Sequence, residues 1–88
     1  MNKNIFHILV VDDDDRIREL VKQYLEENNF LVTTAADAFE AKKKIDIIKF
    51  DILILDIMMP GKSGLSLTKE IKKTNPTPVI LLTAKGGT

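Results

Sequence analysis

Residues 5–15 read IFHILVVDDDD, an apolar run that stops abruptly at four consecutive aspartates. A near-continuous apolar run bounded by polar residues is typical of a β-strand buried on both faces of a sheet. Residues 52–55, ILIL, form a second such run between Asp51 and Asp56. These two stretches predict strands in the middle of a parallel sheet.

The segments between the apolar runs have a helical period instead. Residues 17–25 place five apolar side chains on one helical face: Ile17, Leu20, Val21, Tyr24 and Leu25. An aspartate just before this segment can cap a helix, and two asparagines follow it. Asp37 and Glu40 fit a capping box for a second helix. Ser63 is the expected cap of a third helix, which ends before a proline.

Two further segments, residues 30–34 and 79–82, are rich in β-branched, aromatic or aliphatic residues and predict strands. The order is then β-α-β-α-β-α-β, with connections too long for hairpins and long enough for helical crossovers. This alternation predicts an α/β fold with a doubly wound parallel sheet. Ligands of such sheets bind beyond the carboxyl ends of the strands.

Three carboxylates and one hydroxyl follow predicted strands at that edge: Asp12, Asp13, Asp56 and Thr83. Two carboxylates about 4 Å apart repel by roughly 4 kcal/mol at an effective dielectric constant near 20, and a bound cation relieves that cost. Hard oxygen ligands favour Mg²⁺. A nucleotide-phosphate cradle would need glycines where this chain has aspartates, so a flavin- or nucleotide-binding module is disfavoured. Capping of the following helix and favourable placement at its N-terminus account for Asp14 and Asp15.

Composition limits the class of protein. The 88 residues suffice for one domain and contain 13 basic and 13 acidic residues, which argues against a nucleic-acid-coating surface. Without cysteine there is no disulfide or thiolate metal site. The first apolar run is too short for a membrane span and lacks a cleavage signal, so we expect a cytoplasmic protein. The lysines at 42–44 are interpreted as a solvated helix face.

Three motifs resemble the receiver domains of two-component response regulators. They are ILVVDD at 8–13, FDILILDIMMPGKSG at 50–64 and VILLTA at 79–84. The resemblance implies a flavodoxin-like receiver fold with strand order 2-1-3-4-5. The acidic run and the segment TAKG at 83–86 are most similar to regulators that carry a winged-helix DNA-binding domain.

The resemblance also implies residue roles. Asp56 would accept a phosphoryl group from a sensor histidine kinase or a phosphotransfer protein. Asp13 and Asp56 would bind the cofactor Mg²⁺ directly, Asp12 through water and Met58 through its backbone carbonyl. Thr83 would contact the phosphoryl group as the switch residue. Such a module is a phosphoacceptor in a phosphorelay and not an enzyme, and it would control an output domain, which in turn binds DNA.

Receiver domains continue past the fourth strand through a helix, a fifth strand and a last helix. We therefore expect residues 1–88 to be an incomplete receiver domain that forms a dimer or higher oligomer through the edge of strand 79–82. Two alternatives stay open. One is a signalling-inactive fragment seen only as an oligomer. The other is a metal-dependent phosphatase of the aspartyl-phosphate type, although that class needs an acid where this chain has Met58.

Overall fold

The computed structural model describes residues 5–57 and 64–82, and these form four strands and three helices in the predicted order. The elements are β1 (His7–Val11), α1 (Asp15–Glu27), β2 (Leu31–Ala35), α2 (Ala38–Ile47), β3 (Ile52–Asp56), α3 (Gly64–Thr74) and β4 (Val79–Leu82). The first strand begins two residues later than the apolar run, because Ile5 and Phe6 are exposed and precede the paired segment.

The four strands form one parallel sheet in the order β2-β1-β3-β4. Strand β1 lies between β2 and β3, with His7 opposite Leu31 and Ile8 opposite Ile52. Strand β4 pairs with β3, with Ile54 opposite Ile80. This order and the parallel pairing confirm the prediction of a doubly wound, flavodoxin-like α/β fold.

Helices cover both faces of the sheet, as a doubly wound fold requires. Alternate residues of each strand point to opposite faces, so Leu9 and Leu53 lie in one cluster with α2 and α3 residues. Val10 and Ile54 lie in the other cluster, against α1. Complete burial of a leucine such as Leu9 contributes about 1.5–3 kcal/mol. The sheet is therefore a rigid base that fixes the ends of its strands.

The connection from β2 to α2 is held by a set of side-chain hydrogen bonds. Asp37 Oδ1 accepts from the amide of Glu40 at 2.8 Å, which confirms Asp37 as the cap. Only half of the predicted capping box is confirmed, because Glu40 Oε1 accepts from the amide of Ala36, at 2.9 Å, and not from that of Asp37. Lys44 Nζ contacts Glu40 Oε2 at 3.1 Å and donates to the carbonyl of Thr34 at 2.6 Å. Lys42 and Lys43 are exposed, as expected of a solvated helix face, whereas Lys44 is only partly exposed because its ammonium group reaches the carbonyl at the end of β2.

Some apolar side chains of α1 and β4 are exposed. Helix α1 has no buried residue, and Leu20 and Tyr24 on its predicted apolar face are largely exposed. In β4, Ile80 is 49% exposed.

Within the described ranges, no helix is both long and apolar enough to span a bilayer.

Candidate metal centre

The site lies where β1 and β3 end. Because Val11 pairs with Leu55, the next residues, Asp12 and Asp56, are neighbours at the same edge of the sheet. Both are buried, at 5% and 6% exposure, whereas Asp13 is exposed. One carboxylate oxygen from each of these three aspartates lies within 4.8 Å of the others. The structure therefore brings together the three carboxylates that the sequence placed at this edge.

Backbone contacts fix Asp12. Its amide donates to the carbonyl of Ala35 at the end of β2, at 3.2 Å. Its Oδ1 accepts from the amide of Asp14 at 2.9 Å, and its carbonyl accepts from Arg18 Nη1 at 2.7 Å. Asp14 in turn caps α1, with Oδ1 accepting from the amides of residues 16 and 17. The acidic loop, defined here as residues 12–15 and ending on the first residue of α1, is thereby attached to β2 and continues into the helix.

The electrostatics of the centre favour a bound cation. Burial raises the pKa of the Asp12 carboxyl above its usual value, and the negative charges of Asp56, Asp13 and Asp14 raise it further. The hydrogen bond from the Asp14 amide opposes this shift. At 4.8 Å, two ionised carboxylates repel by about 3.5 kcal/mol at an effective dielectric constant of 20. A divalent cation between them converts this repulsion into attraction.

The donor set fits Mg²⁺ chemically. All three side chains offer hard carboxylate oxygens, and Mg²⁺ takes one or two of these at about 2.0–2.1 Å while keeping several waters. Opposite ligands of one such ion are about 4.2 Å apart, close to the 4.8 Å span of the cluster. The exposure of Asp13 leaves one side of the centre open to water or another ligand.

Strand β4 supports the other side of the centre. The amide of Ile57, just after Asp56, donates to the carbonyl of Leu82 at 3.0 Å. This bond continues the β3–β4 ladder past the end of β3 and fixes the direction in which the chain leaves Asp56. The two other predicted site residues, Met58 and Thr83, lie outside the described residues, as does the predicted cap Ser63.

Sequence reasoning missed Arg18. Its guanidinium group contacts the carbonyl of Asp12 through Nη1 and the carboxylate of Asp15 through Nη2. The available signal was the spacing of an acid and an arginine three residues apart at a helix start, which lets them meet. The contact with a backbone carbonyl has no signature in the sequence.

Residues 8–88 match the family described as the response regulator receiver domain. The chain therefore belongs to the response regulator receiver domain family, which confirms the prediction of a two-component receiver domain. PetR of Rhodobacter capsulatus is 48% identical over 82 residues, which cover 93% of this chain and 35% of that protein. The transcriptional regulatory protein ResD of Bacillus subtilis is 44% identical over 79 residues, which cover 90% and 33%. The chain spans about a third of the length of these relatives.

Solved structures give the same result. TrrA of Thermotoga maritima, in complex with Mg²⁺-BeF, is 46% identical with a TM-score of 0.88; the match covers 93% of this chain and 72% of that chain. The structure of the histidine kinase ThkA in complex with TrrA matches at 45% identity and a TM-score of 0.86, over 94% and 72%. At 45–46% identity, this chain resembles the two solved structures in sequence as well as in fold.

Proposed function

We propose that this receiver domain accepts a phosphoryl group on Asp56 from a sensor histidine kinase or a phosphotransfer protein, with Mg²⁺ as the cofactor. The observation that carries the proposal is the convergence of Asp56 with Asp12 and Asp13 at the carboxyl ends of β1 and β3. The solved structures of the similar protein TrrA with Mg²⁺-BeF and with a histidine kinase support the same chemistry.

Asp13 and Asp56 would bind Mg²⁺ directly, and Asp12 would hold a water ligand. Met58 would add its carbonyl, as in the resemblance to receiver domains. A bound Mg²⁺ would neutralise the negative oxygens of the incoming phosphoryl group, against which a carboxylate is otherwise a poor nucleophile. The open side at Asp13 is where the donor would approach.

In the transfer, a carboxylate oxygen of Asp56 forms a bond to phosphorus while the bond between phosphorus and the donor's imidazole nitrogen breaks. The imidazole leaves with that electron pair and takes a proton from water. Pairing of β3 with β1 and with β4 fixes the backbone at Asp56, and such positioning would supply much of the rate. Small phosphodonors such as acetyl phosphate would react in the same way. The chain is then a phosphoacceptor and not a turnover enzyme.

The signal would pass through Thr83, which would contact the phosphoryl group as the switch residue, to an output domain. The names of ResD and other transcriptional regulatory relatives support a transcriptional output and the winged-helix subgroup. DNA would be bound by the output domain alone. A cytoplasmic location fits a partner that carries phosphohistidine.

The exposure of strand β4 supports a second proposal, that the chain self-associates. Among the described residues it lies at the end of the sheet, and its Ile80 is half exposed. An apolar strand edge is a template for pairing with another chain. The prediction of a homodimer or higher oligomer through this edge stays a prediction, as does that of an incomplete receiver domain.

The direct test is incubation of the chain with acetyl phosphate and Mg²⁺, followed by mass spectrometry. We expect one acid-stable, base-labile acyl phosphate on Asp56, and none in the Asp56→Asn variant, because an amide is not a competent nucleophile. Asp51→Asn is the matched control, since Asp51 precedes the opposite end of the same strand. A phosphoryl group on another residue would overturn the proposal.

A further inference from the structure

The guanidinium group of Arg18 joins both ends of the acidic loop. Nη1 donates to the carbonyl of Asp12 at 2.7 Å, and Nη2 donates to the carboxylate of Asp15. The side chain of Arg18 is only 17% exposed, although it lies on a helix without buried residues. Between the two contacted residues lies Asp13, the exposed member of the metal centre.

We propose that Arg18 is a positioning residue of the metal centre, which holds the acidic loop in the conformation that brings Asp13 to a cation shared with Asp56. The inference rests on the proposed function, because it concerns the same Mg²⁺ site. Since the Asp13 side chain is exposed, packing contributes little to its orientation. The backbone on either side of Asp13 then sets its direction, and Arg18 links the carbonyl just before Asp13 to the first residue of α1 that follows it.

The chemistry of arginine suits this task. A guanidinium group is a planar fork with several N–H donors in fixed directions, so one side chain can bind a carbonyl and a carboxylate at once. A lysine ammonium carries the same charge as a point and lacks that fork. Replacing Arg18 with lysine therefore separates the bridge from the charge.

Charge and positioning predict opposite effects on Mg²⁺ binding. A cation near the centre repels Mg²⁺, so loss of charge alone would strengthen binding. Loss of positioning would weaken it. Arg16 is the matched control, because it carries the same charge on the same helix turn. Its side chain is 92% exposed and reaches Asp14 at 3.9 Å.

The experiment titrates Mg²⁺ into the wild-type chain and three variants, with backbone amide shifts in NMR spectra as the readout. Arg18→Met is expected to weaken Mg²⁺ binding about tenfold, the usual cost of losing an outer-shell support. Arg18→Lys is expected to stay weaker than wild type, whereas Arg16→Met should bind as wild type or more tightly. Wild-type affinity in Arg18→Met or in Arg18→Lys would overturn the proposal.

A second readout needs no metal. The amide of Asp14 donates to Asp12 Oδ1 inside the acidic loop. Its hydrogen exchange should be faster in Arg18→Met and Arg18→Lys than in wild type, and unchanged in Arg16→Met. If Arg18→Met does not fold, the lysine variant decides both measurements.

The two proposals fail in different ways. A wild-type chain that does not bind Mg²⁺ would refute the metal site and with it the role of Arg18 there. A wild-type chain that binds Mg²⁺, with wild-type affinity in either Arg18 variant, would refute the positioning role alone.

Discussion

Replacing Asp56 with asparagine should stabilise the metal-free protein while it removes the proposed phosphoryl acceptor. The carboxylates of Asp56 and Asp12 lie within 4.8 Å of each other and both are buried, so their repulsion is about 3.5 kcal/mol at an effective dielectric constant of 20. Asp56 also interacts with neighbouring groups. If the substitution removed one hydrogen bond to a charged group, the cost would be about 1.5–3 kcal/mol, and the free energy of unfolding would still rise by about 0.5–2 kcal/mol.

Thermal unfolding followed by circular dichroism, in EDTA, measures this gain. For a domain of this size, about 1 kcal/mol corresponds to a shift of about 4–8 °C in Tm. The control is Glu19→Gln, which removes one exposed carboxylate from α1 and should change stability by less than about 0.5 kcal/mol. Added Mg²⁺ should narrow the difference between Asp56→Asn and wild type, because the ion stabilises the complete site more strongly.

An Asp56→Asn protein that unfolded at or below the wild-type temperature in EDTA would contradict the predicted stabilisation. In that case the contacts of the Asp56 carboxylate would outweigh its repulsion from Asp12. The acidic centre would then be a stabilising feature of the metal-free fold, and not a cost that the function imposes on it.

Three further predictions concern Asp13, Glu40 and Ile80. Asp13→Ala should weaken Mg²⁺ binding in a calorimetric titration, and unchanged affinity in the folded variant would contradict the assignment. A hydrogen bond from the Ala36 amide, and to a lesser extent one from Lys44, holds the pKa of the Glu40 carboxyl below its ordinary value of 4.5. These contacts stabilise the fold fully above pH 4.5, and the stabilisation is lost as the pH falls through the lower pKa of the folded state. Urea unfolding should therefore show Glu40→Gln destabilised at pH 7, with a smaller difference near pH 3. Sedimentation at micromolar concentration should show an oligomer that Ile80→Lys shifts towards monomer, whereas a wild-type monomer would contradict edge pairing.

The order of elements was predictable because the two kinds of segment differ in period. Residues 52–55 are continuously apolar, whereas the apolar residues within 17–25 recur every three to four positions, as on one face of a helix. Strand boundaries were less accessible. Ile5 and Phe6 continue the apolar run yet precede β1 and are exposed, because apolar character alone does not show where strand pairing begins.

The acidic part of the site was predictable from topology. The carboxyl ends of neighbouring parallel strands meet at one edge, so aspartates that follow two apolar runs must approach each other. The contacts that two basic side chains make with the backbone were not predictable. Arg18 and Lys44 each donate to a backbone carbonyl, of Asp12 and Thr34 respectively. Every residue has such a carbonyl, so the sequence does not indicate which one a long side chain will reach.

The parallel sheet also has a consequence for synthesis on the ribosome. The amide of His7 in β1 donates to Asp51, 44 residues later, at the start of β3. At about 5–20 residues per second, β1 waits about 2–9 s for this partner. During that interval the edge of β1 that pairs with β3 is open to other nascent chains. Charged residues that flank such a strand oppose aggregation, so we expect the aspartates of the acidic loop to protect β1 during synthesis, in addition to their role in the proposed metal centre.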